Sequence, residues 1–126
     1  MKKLIVKQMN EGQEIFIAKV SEEINSNLAK SLRAGDRMLV DSDGLAFIYI
    51  LEDDSDLYYL YFQQDSWESL HKITLEQKKL VLDLGNDIQI ELTSIVEELA
   101  FLTENIDGNG NYGEAMETAV QEVFHN

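Results

Sequence analysis

Two unbroken apolar segments near the middle of the chain restrict the fold more than any other feature. Residues 45–51 and 57–62 are aliphatic or aromatic at every position. A strand with one face in water alternates polar and apolar residues, whereas a continuous apolar run indicates a central strand covered on both faces. The acidic turns at 41–44 and 52–56 protect such runs from aggregation. We therefore expect a sheet built around these two segments.

The turn signals arrange further strands around this pair. Met38–Val40 leads through an Asp-Gly turn into 45–51, which predicts a consecutive antiparallel meander with 57–62. Short β-rich runs at 3–7 and 14–20 flank the turn residues 10–12. Residues 79–84 and 88–92 form a further hairpin pattern across Gly85-Asn86-Asp87. The sheet should be mostly antiparallel, with about six to seven strands.

The end of the chain has the periodicity of two helices. Ser94 and Glu97 form a capping-box pattern ahead of an apolar stripe, and the Gly- and Asn-rich residues 107–111 interrupt it. Apolar residues then recur at helical spacing without a miss, at Tyr112, Ala115, Met116, Ala119, Val120, Val123 and Phe124. We predict a helical hairpin over 94–106 and 113–125.

Two shorter segments complete the predicted architecture. Asp65 and Glu68 form a second capping box and predict a short helix near 65–72, with Trp67 and His71 on one face. Apolar residues every fourth position in 21–34 favour a helix there, although a loop stays open. Strands first and helices last indicate one α+β domain over residues 1–126, with the helices on one face of the sheet.

The charge of the chain is strongly negative and unevenly distributed. It has 24 acidic and 10 basic residues, a formal net charge of -14. Residues 1–37 carry about +2 and residues 38–126 about -16, counted along the sequence. Such a surface repels nucleic acid and anionic lipid and attracts cationic partners. We expect no nucleic-acid partner and no membrane association.

The absence of cysteine excludes disulfides and thiolate chemistry. The apolar run after the basic start stops at Val6 and is too short for a signal peptide, and no run approaches the roughly 20 residues of a membrane helix. These observations favour the cytoplasm.

Three segments of the chain have a familiar order and spacing. They are Met38–Gly44, then Trp67-x-x-Leu70-His71, then Asn105–Gly113. Over residues 35–124 the sequence resembles the YjbL-like proteins, an uncharacterised family of low-GC Gram-positive bacteria. The resemblance implies a small cytoplasmic bacterial protein, and it brings no activity and no catalytic residues.

Metal binding is a weak possibility at the loop between the last two helices. With Asn105 at position 1 of a calcium loop, Asp107 and Asn109 occupy positions 3 and 5, but Met116 stands where a bidentate Glu is required. The acidic turns at 41–43 and 53–56 are ordinary solvated turns. We expect no cofactor and no dedicated metal site.

The histidines and aromatic residues are the remaining candidates. His71 could act as a general base or a pH-sensitive contact, but a packed, partly exposed histidine is the simpler interpretation; His125, beside the terminus, should be frayed. Tyr58, Tyr59 and Tyr61 could stack on RNA, yet residues 38–71 contain no basic residue. These rings, with Trp67 and His71, are interface candidates, unless they lie beneath a helix.

Two functions remain open. The favoured one is a non-enzymatic binding or regulatory module that contacts a basic protein, or a second copy of itself. The alternative is a small hydrolase or transferase that uses His71 with nearby carboxylates and a divalent cation.

Overall fold

A computed structural model describes residues 2–125 and contains seven strands. They are β1 (Lys2–Glu11), β2 (Ile15–Val20), β3 (Arg33–Asp41), β4 (Ala46–Glu52), β5 (Leu57–Gln63), β6 (Lys79–Asp83) and β7 (Gln89–Glu91). The strand count and both predicted hairpin turns after Val40 and Leu84 are confirmed. β1 is longer than expected, because it continues through Asn10 and Glu11 before the chain turns.

Four helices accompany the sheet. They are α1 (Ser26–Ser31), α2 (Trp67–Glu76), α3 (Ile95–Ile106) and α4 (Glu114–Phe124), and short 3-10 turns at Gln64–Ser66 and Gly110–Tyr112 precede α2 and α4. The predicted helical hairpin is confirmed to within one residue at each boundary. α2 runs four residues past the expected end and stops at Gln77, whose left-handed backbone (φ 54°) closes the helix.

The sheet is mixed rather than purely antiparallel. Its order is β3-β4-β5-β1-β2-β6-β7. The meander β3-β4-β5 and the hairpin β6-β7 are antiparallel as predicted. β1 pairs with β5 and β2 pairs with β6 in parallel. These two parallel pairs join strands far apart in the sequence, which local turn signals cannot reveal.

The main hydrophobic core lies between the inner face of the sheet and the helices. It includes Phe16, Tyr49, Leu60, Trp67 and Leu99, all of them almost completely buried. β4 is buried from Ala46 to Leu51, on both of its faces, as its unbroken apolar run predicts. In residues 2–125 no helix is long and apolar enough to cross a membrane.

Neither predicted capping box forms. Ser94 precedes α3 in a left-handed conformation (φ 66°), and its side chain caps no helical N–H group. Its hydroxyl instead donates to Asp36 Oδ1 at 3.3 Å. Asp65 lies within the 3-10 turn, and α2 begins only at Trp67. In both cases a tertiary contact or a tighter turn replaces the local capping geometry.

The two edge strands of the sheet approach each other beside α3. Thr93, just after β7, donates through its hydroxyl to Asp36 on β3, and the buried Tyr49 hydroxyl donates to the Thr93 carbonyl at 2.6 Å. The backbone N–H of Met38 donates to Glu98 on α3 at 2.8 Å. These side-chain contacts therefore cover part of the β3 edge, and the Glu98 carboxylate pairs one backbone N–H group that the edge would otherwise expose.

Candidate functional site

The principal candidate site is a groove between α4 and the chain around the start of α2. Two adjoining depressions, of about 590 and 520 Å³, share Gln64 and Glu122. We call this surface the acidic groove. Its lining residues are Leu45, Gln64, Asp65, Glu68, His71, Glu114, Ala115, Thr118, Ala119, Glu122 and Val123.

The periodicity of α4 supplies one wall of the acidic groove. Met116, Val120 and Phe124 face the core, so the opposite side of the helix is available to solvent. Glu114 and Glu122 lie eight residues apart, about two helical turns, and therefore project from the same side. Small residues between them, Ala115 and Ala119, keep the floor of the groove low and apolar.

His71 contributes to the other wall of the groove, and its ring packs against a cluster of aromatic side chains. Trp67, one turn earlier on α2, is completely buried and packs 5.0 Å from the Phe47 ring. Phe124 joins this cluster and meets the His71 ring edge-on at 5.5 Å. The cluster fixes α2 against α4 and so determines the spacing of the two walls.

The carboxylates of the acidic groove are only weakly compensated by the chain itself. Lys72, one turn after Glu68 on α2, bonds to Glu11, which raises the pKa of Lys72 more than the charge of Glu68 does. Within residues 2–125, Asp65, Glu68, Glu114 and Glu122 form no salt bridge. Carboxylates elsewhere do find cations: Lys72 donates to Glu11 at 2.7 Å, and this hydrogen bond lowers the pKa of Glu11. The groove thus combines unpaired negative charge with an apolar floor.

A separate depression, of about 320 Å³, lies where the parallel strands β2 and β6 end. Its cation, Lys19, already lies 4.0 Å from the Asp83 carboxylate. Glu22 accepts the backbone N–H of Ile5 at 3.4 Å. Much of the charge here therefore has a partner inside the molecule, in contrast to the acidic groove.

The predicted aromatic interface residues do not form one exposed patch. Trp67 has no exposed surface and donates from Nε1 to the Phe62 carbonyl at 2.9 Å. Tyr58 faces the main core and donates its hydroxyl to Asp53, whereas Tyr61 lies on the opposite face of the sheet. Only Tyr59 and His71 remain partly exposed. The structure therefore shows two separate, partly exposed positions, Tyr59 on β5 and His71 on α2, where one aromatic patch was expected.

The weak metal candidates are used in local structure. Asn109 accepts the backbone N–H of Asn111 at 3.0 Å, and Asp107 accepts from Gln121 at 3.4 Å. Asn105 is exposed near the end of α3. Between Lys2 and His125 no three His, Asp or Glu side chains are placed to share a metal ion.

His125 is held in place rather than frayed. Its Nε2 lies 3.1 Å from the carbonyl oxygen of Thr103 on α3, at hydrogen-bond distance. This contact ties the end of α4 to the neighbouring helix. The expectation of a frayed residue is therefore wrong, because a tertiary partner compensates for its position near the terminus.

Sequence reasoning missed most of the acidic groove. The spacing of Glu114, Thr118 and Glu122 does indicate one polar stripe on α4, beside the apolar stripe of the same helix. Gln64, Asp65 and Leu45 come from other elements, and only the packing of α2 on α4 brings them to that stripe.

Comparison with known proteins decides the family. The sequence model of a family of unknown function, UPF0738, matches residues 4–124. The chain belongs to the UPF0738 family. A UPF0738 protein of Shouchella clausii is 41% identical over 124 residues, covering 98% of this chain and 100% of that protein. One of Halalkalibacterium halodurans is 40% identical over 124 residues, 98% of each chain.

The UPF0738 match refines the resemblance stated from the sequence. A Geobacillus relative is 48% identical over 92 residues, covering 73% of each chain. An uncharacterised bacterial family is confirmed, but the comparisons do not give the YjbL-like name. The match also includes the first strand, which the resemblance left out. No solved structure matches the chain.

Proposed function

We propose that the acidic groove binds a basic, amphipathic segment of another protein, and that this UPF0738 protein is a non-enzymatic interaction or regulatory module of the cytoplasm. One observation carries the proposal: Asp65, Glu68, Glu114 and Glu122 surround an apolar floor, and among the described residues no Lys or Arg lines the groove. A ligand with Lys or Arg beside apolar residues would match both properties.

The energetics of the groove favour such a partner. Like charges on one surface repel each other, and a cationic segment would relieve this repulsion as it binds. Contact with Leu45, Ala115, Ala119 and Val123 would add apolar burial, at roughly 25 cal/mol per Å² removed from water. Phosphate-bearing ligands lack this complementarity. The chain from residue 80 to 126 has ten acidic residues and no Lys or Arg, which extends the negative field around α4.

Fluorescence anisotropy with a labelled amphipathic peptide of leucine and lysine tests this proposal. Wild-type protein should bind the peptide, and Glu122→Lys should raise the Kd roughly tenfold because it removes one attraction and adds one repulsion. Glu104→Lys is the matched control. Glu104 is also an exposed helical Glu without a salt bridge in residues 2–125, but it lies on α3 and does not line the groove.

The controls separate groove binding from general charge attraction. A lysine peptide without apolar residues should bind more weakly than the amphipathic one, and added salt should weaken both. Equal effects of Glu122→Lys and Glu104→Lys would contradict a specific groove. Binding that is unchanged by salt would contradict the electrostatic contribution.

A hydrolase or transferase that uses His71 is the second candidate. The observation in its favour is that His71 lines the same depression as Asp65, Glu68 and Glu122. Against it, in the part of the chain that the structure describes, no Ser, Thr or carboxylate side chain is hydrogen-bonded to the imidazole, as an activated nucleophile or an orienting acid would be. Hydrolysis of nitrophenyl ester or phosphate substrates that disappears in His71→Gln, with peptide binding intact, would favour the enzyme.

A further inference from the structure

The acidic groove is lined by helices and turns, and none of its lining residues belongs to a strand. They lie in α2, in α4, in the 3-10 turn before α2, and at Leu45 in the turn before β4. The last carbonyls of β5, beside the groove, already have partners. Phe62 accepts from Trp67 Nε1 at 2.9 Å. Gln63 accepts from Ser66 Oγ at 2.8 Å. A ligand in the groove therefore meets no strand edge with which to form backbone hydrogen bonds.

This lining distinguishes between the common modes of peptide recognition. An extended peptide that joins a sheet needs a free strand edge, and a polyproline segment needs an aromatic-lined groove. Among the described residues no Phe, Tyr or Trp lines the acidic groove, and the Phe124 ring lies beneath it, edge-on to His71. A helix needs neither feature, because its own N–H and C=O groups bond to each other.

The side of α4 that faces the groove leaves room for a second helix. It presents two columns of side chains, each at a spacing of four residues. The apolar column is Ala115, Ala119 and Val123, and the polar column is Glu114, Thr118 and Glu122. Ala115 is exposed, whereas Ala119 is only 6% exposed and so provides space rather than contact area. Small side chains at this spacing allow another helix to approach α4 closely.

The carboxylates are spaced to meet a helix that lies along α4. Glu114 and Glu122 are separated by two helical turns, about 12 Å along the axis at 1.5 Å per residue. Asp65 and Glu68 line the opposite wall. Lys or Arg side chains two turns apart on one flank of a ligand helix would meet α4, and those on its other flank would meet the start of α2.

We propose that the segment bound in the acidic groove is an amphipathic α-helix that lies along α4. Its large aliphatic side chains occupy the space above Ala115 and Ala119 and contact Leu45 and Val123. Its Lys or Arg side chains flank this apolar face on both sides. The inference rests on the proposed function, which requires a basic segment with apolar residues and does not specify its conformation.

Two substitutions in the leucine and lysine peptide test the conformation of the ligand. The leucines are placed at helical spacing, and one central lysine that faces away from them is replaced by alanine or by proline. Both changes remove one charge, but only proline breaks a helix. In fluorescence anisotropy with the full chain, the proline peptide should bind roughly tenfold more weakly than the alanine peptide, or weaker still. Circular dichroism of the mixtures should show helix formed on binding by the alanine peptide alone.

A variant of α4 tests where the ligand lies. Ala115→Trp fills the space above an exposed position, so it should weaken binding of the alanine peptide roughly tenfold. Ala100→Trp is the matched control, because Ala100 is an exposed alanine on α3 that does not line the groove. It should leave binding unchanged. Thermal melting of both variants shows whether each is folded.

The outcomes separate the helical ligand from the proposed function. Equal binding of the proline and alanine peptides, both weakened by Glu122→Lys, would overturn the helical conformation and leave a basic ligand in the groove. Equal binding to Ala115→Trp and Ala100→Trp would overturn the position along α4. If no peptide binds the wild-type protein, the proposed function fails and the inference fails with it.

Discussion

At the scale of single residues, Tyr49 joins the centre of the sheet to the seam between its edge strands. Its ring is completely buried, and its hydroxyl donates to the Thr93 carbonyl at 2.6 Å. Tyr49→Phe keeps the ring and removes only this hydrogen bond, so we expect a loss of about 1 kcal/mol in the free energy of unfolding. Urea denaturation measures it.

The matched control for Tyr49→Phe is Tyr112→Phe. Tyr112 is partly buried, and within residues 2–125 its hydroxyl makes no hydrogen bond to another protein group. Its replacement should change stability by less than half as much as Tyr49→Phe. Equal losses for the two variants would show that the seam hydrogen bond contributes nothing specific.

Because three tyrosines have a raised pKa, we also expect the free energy of unfolding to fall at high pH. Burial raises the pKa of Tyr49, Tyr58 and Tyr61 above the ordinary value of 10.0. A raised pKa means that the unfolded chain loses these protons first, so the contribution of these groups is complete below pH 10 and is lost as the pH rises through their folded-state pKa values. Absorbance at alkaline pH should show three tyrosines that ionise late; five that ionise together near 10 would contradict this.

At the scale of elements, Glu98 connects α3 to the edge strand β3. Its carboxylate accepts the Met38 N–H at 2.8 Å. Glu98→Ala should lower the free energy of unfolding by about 1–2 kcal/mol, and Glu98→Gln by less, because the amide oxygen can still accept. Glu97→Ala is the control, since Glu97 shares the first turn of α3 and its favourable dipole but is exposed. Equal losses at Glu97 and Glu98 would contradict the role of this bond.

The elements that the sequence predicts well are those whose signals are local. The apolar stripe from Tyr112 to Phe124 fixes α4, and the unbroken run from Leu45 to Leu51 fixes a strand buried on both faces. The parallel pairs β1–β5 and β2–β6 depend on long-range contacts that have no turn signature. The Ser94 capping box fails because Asp36, distant in sequence, binds the Ser94 hydroxyl, and the Asp65 box fails because Asp65 lies within a 3-10 turn before α2.

At the scale of the whole molecule, unbalanced negative charge opposes compactness. With 24 acidic and 10 basic residues, the folded chain concentrates repulsion that the unfolded chain disperses. Moderate salt should therefore raise the melting temperature, with most of the gain below roughly 0.15 M, where the Debye length falls to about 8 Å. A melting temperature that falls with added sodium chloride would show that the surface salt bridges outweigh the repulsion.

The candidate site is only partly predictable from the sequence, because it depends on how the whole molecule packs. The excess of acid and the absence of basic residues after Lys79 are visible in the sequence and suggest a cationic partner. The sequence also suggests Trp67 and Tyr58 as contact residues, although the fold buries both. The acidic groove arises where α4 packs beside the start of α2, and neither segment alone indicates which of its carboxylates will meet.

The most direct test of the acidic groove is a titration of the isotopically labelled protein with the amphipathic leucine and lysine peptide, followed by amide chemical shifts in NMR spectra. We expect the largest shifts in residues 64–71 and 114–123, the two walls of the groove, and Glu122→Lys should need roughly ten times more peptide to reach them. Shifts spread evenly over all acidic segments, or concentrated on the outer face of β3, β4, β5 and β1, would contradict it.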